Sequence, residues 1–275
     1  MEPETGGGAQ RRCSLQFIGT ATSLLRLGPF TILTDPNFLH RGQFAYLGKG
    51  MVSRRLTEPA LTVEQLPQLD AIVLSHMHGD HWDRVARRGL DHATPVITTP
   101  KAAGALRRQG FTAPAGLATW QSTVLTKEPQ TLRVTALPGR HARGVVQHLL
   151  PPVMGSLLEY EPDPGEVALR IYITGDTLLV DDLKEIPRRY SALDVAVLHL
   201  GGTTLPGGVV VTMDGREGVD LLELVRPVIA VPVHYDDYGV FKSPLSDFRT
   251  EVERRGHTES VVYVGPGETA RIDRR

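Results

Sequence analysis

The chain has 275 residues, 41% of them hydrophobic and 22% charged, a balance that excludes wholesale disorder and fibrous repeats. Thirty basic side chains against 31 acidic ones leave a net charge of −1, which excludes a general electrostatic pull toward nucleic acid or anionic lipid. No stretch reaches the roughly 20 apolar residues of a transmembrane helix, and the single cysteine, Cys13, cannot form an intrachain disulfide, which points to a reducing cytoplasm.

In chain order, residues 1–12 run from acidic to glycine-rich to basic without the apolar centre of a signal peptide. They read as a disordered leader before a single domain over 13–275. Apolar, β-branched runs bounded by Gly, Pro or Asp predict strands at Leu15–Ile18, Phe30–Leu33, Ala71–Leu74, Leu132–Leu137, Leu169–Ile173, Val195–Leu198, Val228–Val233 and Val261–Val264. Helices are predicted at Trp82–Gly89, Ala102–Gly110, Leu178–Tyr190 and Asp214–Val225. A further helix is predicted at Pro244–Arg255, with Ser243 as its N-cap. Two long irregular segments, Pro36–Leu61 and Ala142–Gly155, remain; loops of that length are usually functional or mobile. A strand-rich first third followed by alternating strands and helices predicts mixed sheets covered by helices.

The chemistry concentrates in Ser75-His76-Met77-His78-Gly79-Asp80-His81-Trp82-Asp83, directly after the buried-strand pattern of residues 70–74. Imidazole nitrogens and carboxylate oxygens suit divalent transition metals. A His-x-His pair in extended backbone points both rings the same way, and Gly79 can supply a tight turn before Asp80 and His81. One loop would thus feed two metals, His76 and His78 to one, Asp80 and His81 to the other. Three further strands each run into a residue of the same kind: His141, Asp176 and His234. That edge is where open α/β sheets place ligands.

The order His-x-His-x-Asp-His, then His141 after 60 residues, Asp176 after 35 more and His234 after a further 58, resembles the metallo-β-lactamase superfamily over nearly the whole chain. The resemblance implies an α/β (α+β) fold, a four-layer αββα sandwich of two mixed sheets flanked by helices. It implies that His76, His78 and His141 bind one metal, that Asp80, His81 and His234 bind a second, and that Asp176 bridges them. Asp35 matches a family position that hydrogen-bonds near the ligand loop; read from its neighbours alone it is equally a turn aspartate before proline.

Two such metals, most simply Zn2+ with Mn2+ or Fe2+ as alternatives, would carry a bridging hydroxide at neutral pH. The implied activity is hydrolysis of an ester, lactone or phosphodiester in a small-molecule substrate, with Asp80 orienting the nucleophile. His199, at the end of residues 194–198, is the candidate general acid, with a structural histidine as the alternative. Tyr235 and Asp236 rank below it for substrate or outer contacts. The segments Asp35-Pro36-Asn37-Phe38, Leu66–Ile72, Gly155-Ser156 and Thr174-Gly175-Asp176-Thr177 resemble the branch with L-ascorbate-6-phosphate lactonase and N-acyl phosphatidylethanolamine phospholipase D. Thr212-Met213-Asp214 lacks the histidine that the phospholipase carries there. Residues 142–155 would form an apolar wall for a substrate with a hydrophobic part, or pack as core or dimer contact. Arg140 and Arg143 beside His141 are candidate anion contacts. Rival readings are an iron-dependent oxidoreductase in the same pocket and a non-catalytic metal-binding scaffold. Oligomeric state is not written in the sequence.

Overall fold

Short apolar segments fill two sheets, and amphipathic segments between them cover the outsides. The computed structural model describes residues 12–48, 50–205 and 208–273, without the side chains of Val145 and His148. The expected leader, apart from Arg12, lies outside the described residues. In chain order come β1 (Cys13–Gly19), β2 (Thr22–Leu27), β3 (Phe30–Thr34), the hairpin β4 (Phe44–Gly48) and β5 (Met51–Arg54), β6 (Ala71–Val73), α1 (Arg84–Gly89), β7 (Val96–Thr98), α2 (Pro100–Arg108) and β8 (Pro114–Gly116). The second half holds β9 (Ser122–Lys127), β10 (Gln130–Leu137), β11 (Gly155–Glu161), β12 (Leu169–Ile173), α3 (Glu185–Arg189), β13 (Val195–His199), the short hairpin β14 (Thr204–Leu205) and β15 (Val209–Val210), α4 (Gly215–Val225), β16 (Ile229–Val233), α5 (Leu245–Arg255) and β17 (Thr269–Arg271).

The first sheet has the order β17-β1-β2-β3-β6-β7-β8, the second β16-β13-β12-β11-β10-β9. Both are mixed: β3, β6, β7 and β8 run parallel while β1 and β2 pair antiparallel, and β12, β13 and β16 run parallel beside antiparallel β9 to β11. Leu15, Phe17, Leu25 and Ile32 of the first sheet meet Val134, Ile171, Val197 and Val231 of the second. Each such fully buried side chain contributes roughly 1.5–3 kcal/mol. Outside the first sheet, Ile18, Leu24 and Ile72 pack on Ala86 and Leu106 of α1 and α2. Outside the second, Tyr172 and Leu198 pack on Val219, Leu222 and Phe248 of α4 and α5. The result is the four-layer αββα sandwich. Among the described residues no helix is long and apolar enough to cross a membrane.

Several element expectations are corrected. Pro36–Leu61 is not structureless: it carries β4 and β5, whose strands show apolar residues on both faces and so hide the alternation. Val261–Val264 forms no strand: it touches the free edge of β16 at a single parallel bridge, Val261 to Ala230, before the chain turns away. Within Leu178–Tyr190 only a 3-10 turn at Asp181–Lys184 and the short α3 are helical. Helix α5 starts at Leu245 after Pro244, and Ser243 does not cap it; its hydroxyl instead accepts from the Gly215 amide and so caps α4.

Candidate metal centre

Strands β3, β6, β10, β12, β13 and β16 all end at one rim of the sandwich. After β6 the chain runs on without regular structure through His78 and then turns through residues 79–82. Asp83 ends the turn by capping α1, its Oδ1 accepting from the Val85 and Ala86 amides at 2.7 Å each. Its Oδ2 accepts from the Phe38 and Leu39 amides. Gly79 works by closeness rather than by a left-handed turn: a Cβ there would lie 2.6 Å from the Tyr46 nitrogen, so the turn sits directly against β4. Gly175, at φ +60°, is left-handed, and a Cβ would meet Ser75 at 2.9 Å. Asp35 (φ 37°) and His234 (φ 61°) are left-handed without being glycine. Such backbone strain costs roughly 1–3 kcal/mol each and collects at functional sites.

His76 Nε2 lies 3.0 Å from His78 Nδ1, and His141 Nε2 lies 2.9 Å from the same atom. His141 Nδ1 donates to the Val211 carbonyl at 2.7 Å, so its Nε2 presents a lone pair. A single proton on His78 Nδ1 can satisfy only one of these two neighbours; a cation satisfies all three nitrogens. Alongside, His81 Nε2 is 3.1 Å from His234 Nε2 and 3.2 Å from Asp176 Oδ1, and His234 Nε2 is 3.4 Å from Asp80 Oδ2. His234 Nδ1 donates to the Leu200 carbonyl, again freeing Nε2. In each group, His76/His78/His141 and Asp80/His81/Asp176/His234, the ligand atoms lie within 4.8 Å of one another. Asp80 Oδ1 is buried without a hydrogen-bond partner, and Asp176 Oδ1 meets only the His81 and His234 rings, at 3.2 and 3.5 Å, which is costly for buried carboxylates unless a cation takes the lone pairs. Donor types and orphaned oxygens therefore fit divalent metals.

The two groups differ electrically. Burial, then mutual repulsion with neighbouring histidines, holds His76 far below the usual imidazole range and His78 at about 3; burial likewise lowers His141. These three are neutral rings. At His81 and His234 burial pushes the same way, but the carboxylates, Asp176 foremost, outweigh it and raise both. Asp176 in turn is held well below its ordinary value, its burial overcome by His234 and His81. This half of the site draws positive charge to itself.

Beneath it, Asp35 accepts from the Ser75 amide at 2.7 Å and lies 3.2 Å from His81 Nδ1 and 3.4 Å from His199 Nε2. Burial alone would raise Asp35, yet the two histidines bring it to about 2. His199 is wholly buried behind this carboxylate, with Thr174 Oγ1 3.2 Å from its Nδ1. Arg140 pairs with Asp182 at 2.6 Å and Arg143 with Glu217 at 2.9 Å, both near the surface. Tyr235 packs on Phe17 in the inter-sheet core, and Asp236 accepts from the Leu245 amide at the start of α5; neither joins the cluster. Sequence reasoning missed Thr212, whose hydroxyl donates to Asp176 Oδ2 at 3.1 Å, and Asn37, whose amide donates to the Gly79 carbonyl and to Asp83. The Asp83 cap was the readable signal, an Asp just before a helical run; Asn37 and Thr212 carry no such local mark.

A family model described as "Beta-lactamase superfamily domain" matches residues 31–235, which span both groups of clustered residues. The chain belongs to the metallo-β-lactamase superfamily. Within that superfamily it is 31% identical over 212 residues to a UPF0173 metal-dependent hydrolase of Deinococcus radiodurans, covering 74% of this chain and 81% of that one. It is 25% identical over 260 residues to a namesake from Natranaerobius thermophilus, covering 94% and 99%. Among solved structures, an isothiocyanate hydrolase from Delia radicum gut bacteria superposes with a TM-score of 0.81 at 21% identity, covering 95% of this chain and all of that one. The diiron β-hydroxylase CmlA of Streptomyces venezuelae superposes with a TM-score of 0.68 at 14% identity, over 99% of this chain and 55% of its own. These two likenesses show that superfamily fold alone.

Proposed function

We propose that this metallo-β-lactamase-superfamily protein is a dinuclear metal-dependent hydrolase of a small-molecule ester, lactone or phosphodiester. His76, His78 and His141 would hold one divalent ion, Asp80, His81 and His234 the other, with Asp176 shared. The observation that carries this reading is the buried, unpaired Asp80 Oδ1 beside an Asp176 Oδ1 met only by imidazoles, the two set among five histidine rings whose ligand atoms crowd within 4.8 Å in each group. Bound divalent ions, Zn2+ being the simplest fit to this donor set, supply a water acidic enough to be nucleophilic near neutral pH and a Lewis acid for the electrophile.

The chain's own residues do the rest. Val211 and Leu200 carbonyls fix the tautomers of His141 and His234. Thr212 fixes the Asp176 carboxylate, leaving its other oxygen directed inward. Asp80 Oδ1, unpaired beside His234, is the acceptor that orients the nucleophile's proton. We assign His199 to positioning Asp35 and, through it, His81, in place of the general-acid role, because its Nε2 faces the Asp35 carboxylate. With a lone cysteine of inert character, a reducing compartment such as the cytoplasm fits.

The test is elemental analysis of the purified protein together with turnover of chromogenic esters, lactones and phosphodiesters after loading with Zn2+, Mn2+ or Fe2+. Two metals per chain and metal-dependent turnover are expected, both lost in His76→Ala and Asp80→Ala. Full turnover after exhaustive chelation would overturn the reading. Iron with oxygen-dependent chemistry would favour an oxidoreductase.

A further inference from the structure

Beside His141 the surface opens into a cavity of about 650 Å³, a volume typical of small-ligand sites. One wall is the connection between β10 and β11, where Leu150, Pro151, Pro152 and Val153 stand in a row. Trp120 lines it too, its ring carrying the Arg189 guanidinium 4.2 Å from the centroid. Lys101, in the first turn of α2, also reaches the cavity.

The charges around it are unequal in what they have left to give. Arg140 is taken by Asp182 at 2.6 Å, and Glu185 by Arg188 at 2.5 Å. Arg143 is held by Glu217 outside this cavity. Among the described residues, Lys101 makes no hydrogen bond or ion pair. The cavity thus combines apolar walls, Lys101 as its unpaired lining cation and, in His141, an edge of the metal centre.

We propose that this cavity binds an apolar chain bearing a carboxylate, with Lys101 receiving the anion. The substrate class becomes an ester or lactone with a free carboxylate on its acyl part. This rests on the hydrolase reading above, and the experiment separates the two.

Octanoate and its neutral counterpart octan-1-ol are titrated calorimetrically into the metal-loaded protein, with tryptophan fluorescence followed in parallel. Octanoate binding is expected to weaken about two- to fivefold in Lys101→Met, the scale of one exposed ion pair, with octan-1-ol unchanged. Trp120→Ala should weaken both, and Arg143→Ala neither. Equal octanoate binding by wild type and Lys101→Met, or binding indifferent to Trp120, would overturn the proposal. If Lys101-dependent octanoate binding holds while no ester is turned over, the cavity stands and the hydrolase reading fails. Turnover with Lys101-independent binding sinks the cavity alone.

Discussion

At the end of the sandwich where β1 and β10 begin, Cys13 is 3% exposed and Tyr160 1%; at the end where they finish, His76, His81, His199 and His234 are all at 0%. Burial is therefore equal at the two ends, and its consequences are opposite. At the first end it keeps groups neutral: the Cys13 thiol is pushed up to about 12, and the Tyr160 hydroxyl donates to Gln130. At the rim, carboxylates and imidazoles are packed so densely that their mutual attraction outweighs burial, and charge persists in the interior. Depth alone does not make a site. What does is convergence of donors that cannot all satisfy one another.

The comparison is broken most forcefully by removing what supports the rim from behind. Asn37 sits between the His76–His81 turn and two buried groups: it donates to the Gly79 carbonyl at 2.8 Å, and its Oδ1 accepts from Tyr238 at 3.0 Å and from the wholly buried Arg55. Asn37→Leu leaves Arg55 with fewer partners and Tyr238 with none of its own. A loss of about 3 kcal/mol in unfolding free energy is expected by urea titration. A loss under about 1 kcal/mol would mean that the rim holds itself up. A smaller effect is expected from Asp35→Asn, which keeps the shape but withdraws the charge behind His81. Zn2+ affinity measured by chelator competition should fall about 10- to 100-fold. Unaltered affinity would show that His81 is oriented by packing rather than by Asp35.

The rim was legible in the sequence because its residues are unusual in kind and crowded in position: six consecutive residues, His76 to His81, carry four donors, and three later strands end in one donor each. The layers were legible where runs are apolar and long, as at Leu169–Ile173 and Val195–Leu198. Strands β7 and β8, of three residues each, are too short to show a period, and β9 is an edge strand whose Thr and Lys residues read as loop. The cavity wall was visible as an apolar segment at residues 142–155, yet its cation was not. Arg140 and Arg143 looked available because sequence does not reveal that Asp182 and Glu217 already hold them. Lys101 is 40 residues from His141 and becomes its neighbour only once β7 and β10 end at the same rim.

The smallest effect sharpens the contrast from the other end. A thiol held at about 12 when folded, against 9.0 when unfolded, keeps its proton in the folded state while the unfolded chain loses it. Above pH 9 the unfolded state thus binds fewer protons, and stability falls as pH rises, by about 1.4 kcal/mol per unit until the folded value is reached. Below pH 9 both states are protonated and the term vanishes. Other groups titrate in the same window, so the informative quantity is the difference between wild type and Cys13→Ala at each pH. That difference should shift by about 1.4 kcal/mol in favour of the variant between pH 8 and pH 10. A constant difference would mean that the thiolate is accommodated at the quiet end after all, by the same kind of charge pairing that sustains the rim, and the distinction between the two ends would have to be drawn elsewhere.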